Sequence, residues 1–283
     1  MQVVSIERVP TVKLESPRAG VFFYQRPLEG EVGSPDNFSL ELVRTESDFF
    51  SPRHRHNFDQ IRFHLEGIFD FSRDGRMKPG TLGFFPEGTP YGPQTSGGPS
   101  LSMVLQFGGA SRSGFMSKEQ LDAGVRKLKT MGELNNGIFT WIDEKGRKHN
   151  QDSYQAVWEM IFGRKLVYPQ RLYQRPVLID TGLHDWMPTG AKGVSERFFG
   201  TFSARRTGLS MLRLDAGASA RIEGHAILLV TEGAGKAGED AFGKWSAIRI
   251  GQGESGHLVA DSAVEVLVMG IPLLDAERAR EAA

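Results

Sequence analysis

The chain has 283 residues, a length that favours two domains or one domain with a large insertion. Its 34 Lys and Arg residues balance its 34 Asp and Glu residues, and no run of like charges occurs, so we expect neither nucleic-acid nor membrane partners. It has no cysteine, which excludes disulfides, thiolate metal sites and a cysteine nucleophile. Residues 1–11 lack the apolar segment of a signal peptide and are predicted to form a strand, which favours a cytoplasmic location.

The first third of the chain consists of short apolar segments separated by Gly and Pro. Such segments at close spacing are typical of an all-β barrel or sandwich. The predicted strands cover residues 21–24, 38–43, 61–71, 81–85 and 101–107. We therefore predict a first β domain over residues 1–108.

The middle of the chain, residues 109–170, has a helical pattern instead. Ser117 and Gln120 have the capping-box spacing at the start of one apolar repeat, which predicts a helix. A second helix is predicted from residue 152 or 153 to 161, with Gly163 as its end. Alternating residues at 138–142 before a turn at 145–146 predict a small hairpin between them. This region is interpreted as a helical insertion or linker.

The β pattern returns from residue 171, with predicted strands at 208–214, 226–230, 245–250 and 264–269. Residues 63–67 (FHLEG) and 229–233 (LVTEG) are both apolar strands that end in Glu-Gly at a turn. This echo favours duplication of one β-barrel unit. The second barrel is predicted over residues 171–273, and residues 274–283 are predicted to form a short charged helical tail.

The segment at residues 54–67 contains the residues best suited to bind a metal. His54 and His56 are two apart, so in a strand they lie on one face and can bind one ion. Asn57 and Asp59 favour a turn that would bring Gln60 opposite them as an oxygen ligand. Two imidazoles and oxygen ligands suit one divalent ion of Fe, Mn, Ni, Cu or Zn, and the sequence does not choose among these metals.

This segment resembles the first motif of the cupin superfamily, His-x-His followed after three residues by Glu and then by a strand that closes with Gly. Residues 80–91 resemble the family's second motif. The sequence departs from the family twice: Gln60 stands where Glu is usual, and Tyr91 stands where the third His ligand is usual. We expect Tyr91 to line the pocket. The resemblance implies a mainly β bicupin of two antiparallel β-barrels, each a double-stranded β-helix or jelly roll.

The second barrel lacks the corresponding ligands. Counting back from its Glu-Gly turn places Ala220, Ile222 and Ala226 at the positions of the first barrel's candidate ligands, and none of the three can bind metal. His225 and His257 lie close to ligand positions, so a shifted site is the alternative.

Two further residues follow the strand parity of Gln60. Arg62 and His64 are expected to point into the barrel with it, as pocket residues. A buried arginine needs an anionic partner. That partner is either a carboxylate on a ligand or an internal acid, Glu66 or Glu41.

Two main functions follow from these features. The first is a metal-dependent enzyme of the dioxygenase or isomerase type that acts on a small organic molecule, with Arg62 or Tyr91 orienting the substrate. In it, the metal would be held by His54, His56 and Gln60. The alternative is a non-catalytic bicupin that binds or senses a small molecule. A barrel that serves only as a dimerisation scaffold is a third interpretation, and a homodimer is predicted.

Overall fold

The computed structural model describes residues 1–16, 20–34, 37–113 and 115–273. The predicted tail at 274–283 lies outside these residues. Contacts divide the chain into two compact units: one contains residues 11–24 and 29–178, and the other contains residues 1–10, 25–28 and the chain from 179 onward. No helix in the described ranges is long and apolar enough to cross a membrane.

The structure is built mostly from strands. In the first half of the chain they are β1 (Gln2–Val4), β2 (Val12–Ser16), β3 (Gly20–Glu29), β4 (Phe38–Thr45), β5 (Phe50–Ser51), β6 (Asp59–Glu66), β7 (Phe69–Asp70), β8 (Arg76–Met77), β9 (Thr81–Phe85), β10 (Gln94–Ser96), β11 (Ser100–Phe107), β12 (Glu133–Asn135), β13 (Ile138–Ile142) and β14 (Lys148–Asp152). The later strands are β15 (Val177–Asp180), β16 (Met187–Pro188), β17 (Val194–Phe202), β18 (Thr207–Leu214), β19 (Ser219–Glu223), β20 (Ala226–Glu232), β21 (Gly235–Ala237), β22 (Asp240–Phe242), β23 (Ala247–Ile250), β24 (Ser255–Ala260) and β25 (Val264–Gly270). The helices are α1 (Lys118–Lys129) and α2 (Ser153–Phe162).

The first barrel consists of a seven-stranded sheet, in the order β15-β9-β6-β11-β4-β3-β2, and a four-stranded sheet, β5-β10-β7-β8. Neighbouring strands run antiparallel, with β6 between β9 and β11. Because side chains alternate between the two faces of a strand, every second residue of β6 lies on the same face of the sheet. This strand carries Gln60, Arg62 and His64 of the predicted site.

The second barrel repeats the same plan. Its sheets have the orders β1-β23-β20-β25-β18-β17-β16 and β19-β24-β21-β22, so β20 takes the place that β6 has in the first barrel. The mainly β fold with two antiparallel barrels is therefore confirmed.

The edge strands differ from the sequence-based boundaries. β1 pairs with β23 and belongs to the second barrel's sheet, although residues 1–108 were predicted as one domain. Conversely, β15 lies beyond residue 171 but completes the sheet of the first barrel. An alternating pattern predicts that a segment is extended, whereas its partner is decided by which sheet edge is open to it.

The predicted insertion contains both helices and the hairpin. Ser117 caps α1 and forms the full capping box with Gln120, and Gly163 ends α2 in the left-handed conformation, as the sequence predicted. Strands β12, β13 and β14 form a separate three-stranded sheet. Trp158 of α2 is almost fully buried in a core that the helices and this sheet share.

Candidate functional site

Strand β6 directs three polar side chains to one face. Gln60 and His64 are buried, and Arg62 between them is half-buried. Val104 of β11 and Gly83 of β9 flank Arg62 in the sheet. A Cβ on Gly83 would lie 2.7 Å from the ring of Phe85, so this ring fills the space that a side chain at position 83 would need.

The two predicted histidine ligands converge with Tyr91. His54 forms an isolated antiparallel bridge with Tyr91, and their ring centroids are 4.8 Å apart. The His54 and His56 rings are 4.9 Å apart, and the His56 and Tyr91 rings are 5.7 Å apart. The structure therefore brings together residues from two segments that the motif resemblance had singled out.

The tautomer of His54 follows from its neighbours. Its Nδ1 lies 2.7 Å from the carbonyl oxygen of Pro52, which can only accept, so Nδ1 carries the proton and donates. Its Nε2 is then an acceptor, and the side-chain amide of Gln94 lies 3.4 Å from it. The lone pair of His54 thus faces the polar cluster.

Arg62 is the centre of that cluster. Its Nε donates to Oε1 of Gln60 at 2.7 Å, and its Nη1 donates to Oε1 of Gln94 at 2.8 Å. Its Nη2 lies 3.4 Å from the hydroxyl of Tyr91, which in turn donates to Gln60 over 3.4 Å. All three partners are neutral side chains.

Aromatic rings surround the same guanidinium. Its Cζ lies 4.9 to 5.8 Å from four ring centroids, those of Phe69, Phe71, Phe85 and Tyr91. Such rings attract a cation through their faces but carry no net charge. Burial lowers the pKa of Arg62, and the interaction with Tyr91 partly offsets this effect. The positive charge is therefore only partly compensated.

Neither internal acid named from the sequence is the partner of Arg62. Glu66 lies 3.7 Å from Arg44 at the surface, and Glu41 accepts a hydrogen bond from Ser39. Val104 separates Glu41 from Arg62 in the sheet. Among the residues that the structure describes, no carboxylate pairs with Arg62. That half of the prediction was wrong, because a whole strand lies between Glu41 and Arg62 and because Glu66 lies four residues further along β6.

The cluster as it stands does not fit a divalent metal ion. His54 has the required tautomer, but the oxygen of Gln60 already accepts from Arg62, and Arg62 adds a positive charge beside the donors. Within the described ranges, no three His, Cys, Asp or Glu side chains are grouped so that they could hold a metal. The ligand roles of His54, His56 and Gln60 stay predictions.

Comparison with known proteins decides the fold. No protein-family model and no curated protein sequence matches the chain. A candidate dioxygenase from Nostoc punctiforme has a TM-score of 0.62 at 10% identity, over 97% of this chain and 84% of its own. The nickel(II) complex of the bacterial pirin YhhW from Escherichia coli has a TM-score of 0.54 at 9% identity, over 96% and 99%. Bacillus subtilis oxalate decarboxylase has a TM-score of 0.53 at 10% identity, over 97% and 78%. The chain has the bicupin fold.

The second barrel of this bicupin has an apolar interior. Ala220, Ile222 and Ala226, which occupy the positions of the first barrel's candidate ligands, are buried in its hydrophobic core. Leu228 stands where the first barrel has Arg62, and it is fully buried in the same cluster. The polar interior is therefore a property of the first barrel, which the same fold does not require.

The alternative site at His225 and His257 has little support from their placement. His225 directly precedes β20, and its Nδ1 is 2.7 Å from the carbonyl oxygen of Ile271. His257 lies exposed on β24, paired with Arg221 in the sheet. Neither histidine belongs to the apolar cluster that fills the barrel.

Two residues of the first-barrel site were missed from the sequence. Gln94 connects His54 to Arg62, and the only sequence signal for it is its closeness to Tyr91. Tyr154 belongs to α2 of the insertion, and its ring centroid lies 6.0 Å from that of His56. Its hydroxyl donates to Oδ1 of Asn57 at 2.8 Å. The insertion thus contributes to the surroundings of the site.

His64 is fully buried at the end of the polar row. Its Nδ1 lies 2.8 Å from the hydroxyl of Ser102, and its Nε2 has no hydrogen-bond partner among the described residues. Burial lowers its pKa most strongly, the nearby backbone of Gly67 partly offsets this effect, and the charge of Arg62 lowers the pKa further. The net pKa lies below the ordinary 6.5, so the folded protein holds His64 neutral.

Acidification is expected to destabilise the fold through His64. The unfolded imidazole binds a proton near pH 6.5, whereas the folded one does so only at lower pH. The stabilisation is therefore complete above about pH 6.5 and is lost as pH falls from there towards the folded pKa. Thermal unfolding between about pH 7.5 and 5.5 measures this effect. His64→Gln, which does not titrate, should show a smaller pH dependence, and an unchanged one would contradict the assignment.

Proposed function

We propose that this bicupin binds or senses a small organic carboxylate in its first barrel, with Arg62 as the anchor. The observation that carries the proposal is a guanidinium inside the barrel whose hydrogen-bond partners, among the described residues, are the side chains of Gln60, Gln94 and Tyr91 and include no carboxylate. Removing a charge from water without an opposite charge is costly, so an anionic ligand would be bound strongly there. The planar guanidinium matches a carboxylate with two parallel hydrogen bonds.

The contrast between the barrels supports the proposal. A bicupin barrel is stable with an apolar interior, as the second barrel demonstrates with Leu228 at the position of Arg62. The polar residues of the first barrel are then retained at an energetic cost that a bound ligand would offset. Oxalate decarboxylase, one of the similar structures, is named for a small dicarboxylate, which agrees with this ligand class.

A metal-dependent dioxygenase or isomerase is the second candidate function. The observation that favours it is the convergence of His54, His56 and Tyr91, together with a His54 lone pair directed at the cluster. Similar structures include a candidate dioxygenase and a nickel(II)-bound pirin. This function requires that the wild-type protein hold a divalent metal through the two histidines, in spite of the charge of Arg62.

Homodimer formation and a cytoplasmic location stay predictions from the sequence, as does the use of the barrel as a dimerisation scaffold. The hairpin of the insertion, formed by β13 and β14, would be the element that pairs. It exposes Ile142, whose side chain is 70% accessible. Size-exclusion mass distinguishes a dimer from a monomer and does not affect the proposal for Arg62.

Titration calorimetry tests the carboxylate proposal. The panel contains small monocarboxylates and dicarboxylates, such as benzoate, and their neutral amides, such as benzamide. We expect wild-type protein to bind one or more acids and none of the matching amides. Arg62→Leu, which introduces the residue found at the equivalent position of the second barrel, should weaken binding by about 10- to 100-fold, because hydrogen bonds to charged groups are lost.

Arg44→Leu is the matched control, because Arg44 lies on β4 of the same barrel but pairs with Glu66 at the surface. It should bind the acids with wild-type affinity. Equal affinities of the Arg62→Leu and wild-type proteins would show that Arg62 is not the anchor. Failure of wild-type protein to bind any acid of the panel would overturn the proposal.

A further inference from the structure

Four side chains of the first barrel form a cluster of potential metal donors. They supply two imidazoles, one amide oxygen and one phenol oxygen, from His54, His56, Gln60 and Tyr91. The rings of the first two lie 4.9 Å apart, and Tyr91 lies within 4.8 and 5.7 Å of them. Gln60 Oε1 is 3.4 Å from the Tyr91 hydroxyl. Geometry alone would therefore permit these groups to surround a cation.

A cation is already present among them, and it is covalently part of the chain. Arg62 donates directly to Gln60 and lies within 3.4 Å of the hydroxyl of Tyr91. It reaches His54 through Gln94, which accepts from Arg62 at 2.8 Å and lies 3.4 Å from the imidazole. Three of the four potential donors are thus oriented around the guanidinium, directly or through one amide.

The charges of the cluster oppose a second cation. Gln60 is neutral, and its oxygen accepts a hydrogen bond from the hydroxyl of Tyr91. No carboxylate of the described residues pairs with Arg62. A divalent ion at these donors would lie a few ångströms from a guanidinium with no negative charge between them, and the low dielectric of a barrel interior strengthens that repulsion.

We infer that the guanidinium of Arg62 serves as the built-in cation of the His54, His56, Gln60 and Tyr91 cluster and keeps divalent metals out of it. The inference shares with the proposed function the view that Arg62 supplies the positive charge of the site. It adds that the first barrel contains a latent metal site, which opens when that charge is removed.

Cobalt(II) binding tests the inference, because the ion reports its own coordination through its visible absorption. Untagged wild-type, Arg62→Leu and Arg62→Lys proteins are titrated with Co²⁺. We expect Arg62→Leu to bind a single ion at least about tenfold more tightly than wild type, because the repelling charge is gone. Arg62→Lys keeps that charge and should resemble wild type.

A triple variant, Arg62→Leu with His54→Ala and His56→Ala, is the matched control and should lose the gained affinity. Arg62→Gln is a second neutral replacement in case Arg62→Leu does not fold, as judged by circular dichroism and thermal unfolding. Wild type that binds Co²⁺ as tightly as the neutral variants would overturn the inference, and so would folded neutral variants with no gain. The carboxylate titrations use metal-free wild-type protein, so their failure would contradict the proposed function and leave the cobalt result independent.

Discussion

Gly67→Ala and Gly233→Ala are each expected to lower the free energy of unfolding of their own barrel by about 2–4 kcal/mol. Both glycines have a positive φ, +77° and +83°, which disfavours any residue with a Cβ. A Cβ would also come too close to a backbone carbonyl oxygen, that of Pro99 for Gly67 and that of Ala263 for Gly233. Backbone atoms cannot move aside as a flexible side chain can. The cost of this close approach therefore adds to the cost of the positive φ.

Urea unfolding of each variant, followed by circular dichroism, measures the loss. Gly33→Ala in the first unit and Gly217→Ala in the second are the controls, since both have φ near +80° and nothing within 4 Å of the added Cβ. They isolate the conformational cost, about 1–2 kcal/mol. If Gly67→Ala lowered the free energy of unfolding no more than Gly33→Ala does, the close approach to Pro99 would have no energetic importance.

The same two glycines explain why the duplicated fold was predictable. They close the segments at 63–67 and 229–233, and each follows the third strand of its seven-stranded sheet, β6 or β20. A turn that tolerates only glycine fixes the same residue in both copies, so the echo survived in the sequence. The offset between the copies placed Ala220, Ile222 and Ala226, which cannot bind metal, at the ligand positions, and the structure shows that all three belong to the apolar core of the second barrel.

Strand partners were not predictable in the same way. The N-terminal segment was identified as extended, but no pattern in residues 1–11 indicates that β1 pairs with β23. β15 likewise completes the first barrel's sheet from beyond the insertion. Hydrophobic alternation depends on which face of a strand is buried, whereas pairing depends on which edge is available.

In the candidate site, too, some features depend on neighbouring residues and others depend on residues that are far apart in the sequence. Strand parity correctly placed Gln60, Arg62 and His64 on one face of β6, because alternation is fixed by backbone geometry. The direction of the Arg62 guanidinium was not predictable. It depends on Gln94, whose strand β10 is separated from β6 in the sequence, and on the position of Tyr91. The sequence therefore favoured a metal, whereas the assembled cluster contains its own cation.

The other large expected effect concerns the insertion, whose α2 carries Tyr154 to a position beside His56. Trp158 lies one turn further along α2 and is 1% exposed in the core of the insertion. We expect Trp158→Ala to lower the free energy of unfolding by about 3–5 kcal/mol, since it leaves a large cavity. It should also weaken carboxylate binding, because the helix that holds Tyr154 against Asn57 loses its main anchor.

Thermal unfolding and the carboxylate titration, applied to the same variants, separate these two effects. Trp158→Phe fills most of the volume, and the indole Nε1 that it removes has no hydrogen-bond partner among the described residues, so its cost should be small. Tyr154→Phe keeps the ring but removes the hydroxyl that donates to Asn57, and it should affect binding more than stability. Equal stability of Trp158→Ala and Trp158→Phe would show that the insertion is not anchored through this residue. A destabilised Trp158→Ala protein that bound the acids with wild-type affinity would show instead that the insertion is anchored there but does not position the site.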